Sequence, residues 1–122
     1  MLLRARFNFV LLNLYPYTNG HLMIAPYAHV PTLAGAGSDA LDEMMRLTAS
    51  AETTLSKVYH PGGINIGMNL GECAGAGVAG HIHMHVLPRW AGDASFMTSV
   101  GETRVLPEDL ETTWSRMKAA WE

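Results

Sequence analysis

A chain of 122 residues, 48% of them apolar, is one domain's worth of sequence and can bury a real hydrophobic core. Its formal charge of −3 gives no basic field that would attract nucleic acid, so any anionic ligand must be held by local groups. A single cysteine, Cys73, excludes a disulfide framework and a cysteine-based zinc site within the chain, and fits a reducing compartment.

Taken in order, the N-terminus places Arg4 and Arg6 before the apolar run Phe7–Leu12. The run is short, Asn8 and Asn13 interrupt it, and no small-residue cleavage site follows, so it is not read as a signal peptide. Nothing approaches the length of a membrane span, and the expectation is a soluble cytoplasmic protein with no membrane partner. Phe7 to Leu14 predicts a strand. Asn19-Gly20 supplies the positive φ of a tight hairpin, and His21 to Ala25 predicts a second strand ended by Pro26. His29-Val30-Pro31 and Gly35–Gly37 predict a loop. Ser38 or Asp39 can cap a helix in which Leu41, Met44, Met45, Thr48, Ala51, Leu55, Val58 and Tyr59 recur at helical spacing. His60-Pro61-Gly62-Gly63 should end it.

Ile64 to Leu70 predicts a third strand, with Ile64, Ile66, Met68 and Leu70 on one face. A loop of small residues, Gly71 to Gly80, follows. Next come His81, His83 and His85, alternating with Ile82, Met84 and Val86. Period two on a strand sends the three imidazoles to one face and the apolar residues to the core, with Pro88 stopping the strand or marking an edge. Pro107 can open a last helix whose buried stripe would be Leu110, Trp114, Met117 and Trp121. Antiparallel strands with segregated helices make the fold class α+β.

Three imidazoles in five residues suit two chemistries. Alternate histidines can chelate zinc, although no carboxylate stands beside them and only Glu72 and Asp93 flank the row. Alternatively, a neutral imidazole can attack phosphorus and form a phosphoramidate while its neighbours donate to phosphoryl oxygens. The loop residues Gly75, Ala76 and Gly77 favour the second reading, because chain without bulk lets backbone N–H groups cradle an anion.

His81-Ile82-His83-Met84-His85-Val86-Leu87 resembles the H-φ-H-φ-H-φ-φ motif of the histidine triad superfamily of nucleotide hydrolases and transferases, where φ is an apolar residue. Gly20–Pro26, Asn65–Asn69 and Ala74–Gly77 are similar to other family segments. With Pro88–Asp93 they resemble the branch containing diadenosine tetraphosphate phosphorylases. The resemblance implies one domain over 1–122, with an antiparallel sheet of about five strands, one long helix packed on it and a C-terminal helix. It implies a nucleotide or dinucleoside polyphosphate as substrate, cleaved at the α-phosphorus through a nucleotidyl-histidine. The acceptor would be water or, in a phosphorylase, orthophosphate. It further implies a homodimer, no metal site and no resident cofactor, any divalent cation arriving with the nucleotide. His83 would be the nucleophile, oriented by the His81 carbonyl, and His85 would contact phosphoryl and leaving oxygens. His21 would be a fourth site histidine, Asn69 a phosphate or leaving-group contact, and Asn13 a neighbour of the ribose. Phe7, Phe9 and Leu11 are candidates for a base pocket, with plain packing the alternative.

Two departures carry expectations. Many relatives have Gln followed by Ser or Thr before the triad, whereas this chain has Gly77-Val78, so backbone N–H groups would replace side-chain contacts to phosphate. The resemblance also begins where the chain begins, so an N-terminal segment found in relatives is expected to be lacking. A zinc hydrolase using the same histidines and a non-catalytic nucleotide-binding module are the alternative functions. His29 and His60 are expected to be solvated, Asp93 to stabilise its turn, and Cys73 to be unreactive.

Overall fold

The computed structural model describes residues 1–13, 19–93 and 108–121. In chain order it contains β1 (Leu3–Arg4), β2 (Asn8–Leu12), β3 (Leu22–Pro26), α1 (Leu33–Ala36), α2 (Ser38–Tyr59), β4 (Gly63–Gly67), β5 (Met84–Arg89) and α3 (Leu110–Ala120). The strands form one antiparallel sheet in the order β1-β2-β3-β5-β4, which is the expected five-stranded α+β architecture.

Register divides the sheet into two faces, because directly opposed residues share a face. Val10 lies opposite Ile24, and Leu22 opposite Val86; all four are fully buried against α2, together with Met44, Ala51 and Leu55. Leu11, Met23 and His85 form the adjacent row, on the other face. The helix therefore covers the apolar face and leaves the histidine face open.

Several boundaries differ from the sequence reading. The first strand spans Asn8–Leu12 rather than reaching Leu14, and Leu14 to Thr18 lie outside the described residues. The two-residue β1 was missed because so short a segment carries no periodicity, as was the single-turn α1. The helix bounds agree, although α2 is capped by Gly37 and not by a side chain of Ser38 or Asp39. His60 ends it in the left-handed conformation, φ 47°, with its N–H bonded to the Ser56 carbonyl. The buried stripe turns slightly from the expected one: Met45 is 61% exposed, whereas Leu47 and Thr54 are buried. The hydroxyls of Thr48 and Thr54 donate to carbonyls one turn back, which makes their burial tolerable.

As expected, β5 stops near Pro88, one residue later at Arg89, and Pro88 lies buried opposite Ile64 at a local edge where β3 no longer flanks β5. A missing N–H costs little where only one neighbour requires a ladder. Gly20, φ 78°, is needed on two counts: a Cβ there would lie 2.8 Å from Leu55 Cδ2 and 3.0 Å from Tyr59 Cε2. Glu43 of α2 pins the start of β2 by accepting from the N–H groups of Arg6, Phe7 and Asn8 and from the Asn8 amide.

The C-terminal helix carries Thr113 and Met117 inward, and Trp114 is 39% exposed, its indole donating to the Met1 carbonyl. Pro107 lies outside the described residues, and Asp109 caps α3 by accepting from the Thr112 N–H. Glu108 is the clamp between α3 and α2: it accepts from Tyr59, Thr113 and Arg116, while Arg116 also donates to the Val58 carbonyl. Burial and then the Glu108 carboxylate push the Tyr59 phenol up to about 12. Burial alone would raise the Glu108 carboxyl, but the three donors overrule it and hold it below 4.5. A depressed carboxyl stabilises the fold above its unfolded value and loses that contribution as pH falls through the folded one. Glu108→Gln should cost ~1–3 kcal/mol at pH 7 in urea unfolding, the usual toll of a broken charge-assisted bond, with the gap to wild type narrowing at pH 3. An equal gap at both pH values would show that the charge of Glu108 is not used.

Candidate active site

The strand of β5 begins at Met84, so of the three alternating histidines only His85 lies in it. His81 and His83 precede the strand, His81 in a bend, and hydrogen bonds hold the segment. His83 Nδ1 lies 3.1 Å from the His81 carbonyl oxygen. A carbonyl only accepts, so a proton is on Nδ1, and in the neutral form of the ring the lone pair is on Nε2. The His83 and His85 rings meet edge to face, 4.8 Å apart.

His21, one residue before β3, is 2% exposed, and its Nε2 lies 2.9 Å from His85 Nδ1. Strand pairing explains the contact: Leu22 faces Val86 and Met23 faces His85. Asn13 closes the group from β2. Its N–H bonds the His21 carbonyl at 3.0 Å, and its amide nitrogen lies 3.3 Å from His21 Nδ1 and 3.4 Å from Nε2. Burial, then the proximity of His85, drives His21 down to about 4. Burial, then His83, lowers His85 as well. The pair is neutral at pH 7.

The glycine-rich loop is arranged differently from the expected cradle. The N–H groups of Ala74, Gly75 and Ala76 bond carbonyls of Gly71 and Glu72 within the loop. Among the described residues, the N–H groups of Gly77, Val78, Ala79 and Gly80 have no hydrogen-bond partner, so the open donors lie nearer the histidines than Gly75-Ala76. Asn69 borders the loop: its amide nitrogen lies 3.7 Å from where a Gly75 Cβ would be. Asp93 closes the turn after β5, accepting from Arg89 Nε at 2.6 Å, Arg89 Nη2 at 2.9 Å and the Trp90 N–H. Asn65, in the segment resembling a family strand, accepts from Arg89 Nη1 at 2.8 Å.

His81 departs most from its expected place. Its Nε2 lies 2.7 Å from the Pro26 carbonyl and its Nδ1 lies 3.1 Å from His29 Nδ1. Both ring nitrogens are thereby engaged, and the three triad imidazoles do not face one point. Among the described residues no three His, Cys, Asp or Glu side chains are placed to hold one metal ion. His29 is exposed, as read from sequence, and is also the site neighbour that spacing missed. No periodicity marks it; it meets His81 only because the end of β3 lies beside the segment leading into β5.

An antiparallel sheet with a helix on one face and hydrogen-bonded imidazoles clustered at the other is the arrangement of a histidine triad domain. The chain belongs to the HIT domain family, whose sequence model matches residues 4–92. It is 41% identical over 118 residues to an AP-4-A phosphorylase of Mycobacterium tuberculosis, covering 97% of this chain and 60% of that protein. The chain thus spans about three-fifths of that relative's length. It is 29% identical to an asymmetrical bis(5'-nucleosyl)-tetraphosphatase of Schizosaccharomyces pombe, over 75% of this chain and 50% of that one. A crystal structure of a Zn-bound histidine triad family protein from Mycobacterium smegmatis superposes with a TM-score of 0.78 at 25% identity, covering 98% of this chain and 81% of that one.

A histidine whose folded value is depressed lowers stability as pH falls from the unfolded value towards the folded one, because the unfolded chain binds the proton first. For His21 that window runs from 6.5 down to about 4. The imidazole carbon resonances of His21 should titrate in NMR with a midpoint near 4, and His21→Gln should flatten the stability slope across that window. A midpoint at or above 6.5 would show that burial does not control this ring.

Proposed function

We propose that the chain is a single catalytic domain that cleaves a nucleotide or dinucleoside polyphosphate at the α-phosphorus, through a nucleotidyl group carried on His83. The bond from His83 Nδ1 to the His81 carbonyl carries this reading, because it leaves Nε2 as a nucleophile without a carboxylate to orient the ring. Attack forms the Nε2–P bond and breaks the bond from phosphorus to the bridging oxygen. The nucleotidylated ring is then an imidazolium whose Nδ1–H remains on the His81 carbonyl. The His21 Nε2–His85 Nδ1 contact suits an arrangement in which His21 Nε2–H donates to His85 Nδ1, leaving His85 Nε2–H to donate to the leaving oxygen. Open N–H groups from Gly77 to Gly80 are suited to the phosphoryl oxygens. Leu11 and Met23, on the row of His85, offer an apolar floor to a base.

Water or orthophosphate then attacks phosphorus and releases His83, giving a nucleoside monophosphate or diphosphate respectively. The likeness to an AP-4-A phosphorylase favours orthophosphate and a dinucleoside tetraphosphate. With all of its ring nitrogens engaged, His81 lends a zinc hydrolase reading no support. Incubation with radiolabelled diadenosine tetraphosphate, with and without orthophosphate, should give a labelled, acid-sensitive adduct in wild type and none in His83→Ala. His83→Ala should lose at least ~10³-fold in kcat, as expected for removal of a nucleophile, while binding nucleotide nearly as well. Equal labelling of the two proteins would end the proposal.

We also infer a homodimer, in a reducing cytoplasm that suits the lone thiol of Cys73. Among the described residues β4 pairs with β5 alone, so its outer edge is unpaired, and Ile66 and Leu70 are 48% and 42% exposed beside it. An open edge flanked by apolar side chains invites a second copy. Light scattering at micromolar concentration should give the mass of two chains, reduced to one by Ile66→Lys; a monomeric wild type would refute the pairing.

A further inference from the structure

The nucleophile's orienting carbonyl belongs to His81, so whatever holds His81 holds the nucleophile. We propose that His29 is a positioning residue for His83, acting through the His81 ring; the assignment of His83 as nucleophile rests on the function proposed above. The Pro26 carbonyl, 2.7 Å from His81 Nε2, can only accept, so His81 carries its proton there. Nδ1 of neutral His81 is then an acceptor, and His29 Nδ1–H donates to it across 3.1 Å. The Ile82 N–H adds a bond to the Val30 carbonyl at 2.9 Å. Three bonds therefore tie residues 81 and 82 to the end of β3 and the chain that follows it. The His81 carbonyl, which takes His83 Nδ1–H at 3.1 Å, is part of the tethered unit.

A second observation concerns Gly80. A Cβ on this residue would lie 3.0 Å from His29 Nε2 and 3.5 Å from its Cε1. The His29 ring stands edge-on to His81, 84° between planes and 5.0 Å between centroids, in the space that glycine leaves. The glycine before the triad thus admits the positioning ring. Its side chain being a hydrogen serves His29 independently of any role of its N–H towards an anion.

The geometry distinguishes His29 from a residue of merely local stability. Nδ1 is one bond from Cγ, as is Nδ2 of asparagine, so His29→Asn can restore the donor whereas His29→Gln places its amide one carbon further out. In long-range proton–nitrogen spectra the wild type should show the Nε2–H form of His81 and the Nδ1–H form of His83. His29→Ala should give mixed tautomers at both. With diadenosine tetraphosphate, His29→Ala should lower kcat ~10-fold with KM changed less than about twofold, the pattern of a misaligned reacting group. His29→Asn should recover kcat to within about twofold of wild type, and His29→Gln should not. Unchanged tautomers and kcat in His29→Ala would overturn the proposal. If that variant does not fold, equal kcat and equal tautomers in the Asn and Gln variants would overturn it instead. A wild type without turnover would refute the proposed function, and the spectra would still decide the role of His29.

Discussion

A hydrogen bond spanning two residues, from the ring of His83 to the carbonyl of His81, is the constraint on which the site depends. An imidazole can offer its lone pair from either nitrogen, and free in water it exchanges between them. Many enzymes settle that choice with a buried carboxylate. Here a backbone carbonyl does so, and it brings no negative charge to repel an incoming phosphate. The cost is moved to the chain: a peptide group must be held as firmly as a side chain would be. Bonds from His81 to Pro26 and His29, and from Ile82 to Val30, provide that firmness.

The sheet supplies the rest by separating its two faces. Val10, Leu22, Ile24 and Val86 fill the side against α2, and the residues alternating with them bring Leu11, Met23 and His85 to the other. Burial of His21 beneath this second face does more than pack: it keeps a ring neutral that would otherwise be partly charged near pH 6.5. A neutral pair can share one proton between His21 and His85 in a fixed sense, whereas a charged pair would repel. Glu108, Tyr59 and Arg116 then fasten α3 to the end of α2, and Trp114 and Lys118 fasten it to Met1 and Leu2.

Much of this could be read from the sequence, for identifiable reasons. The bounds of α2 were legible because Gly37 and the His60-Pro61-Gly62-Gly63 run punctuate them sharply. Alternation correctly divided the faces of β5, and the histidine motif identified His21, His83 and His85 as neighbours. The same alternation misplaced His81, because period two states only where a side chain points on a regular strand, and His81 lies before the strand begins. Trp114 was expected inside and is exposed, since Thr113, one position earlier, satisfies its hydroxyl on Glu108 and so can take the inner face. His29 was illegible for a deeper reason. Its partner is 52 residues away, and only the placement of β3 beside β5 brings them together.

Gly20 has an evolutionary consequence. It precedes His21 directly, and Leu55 and Tyr59 of α2 fill the place a Cβ would take. Trimming Leu55 would open room for a side chain at position 20 but would not relieve the positive φ, so neither change alone gives a tolerated path. Substitutions at 20 and 55 should therefore be epistatic, the effect of each depending on the other. Drift in the helix core is thereby coupled to His21, and sequence change on the far side of the sheet is constrained by the chemistry on the near side.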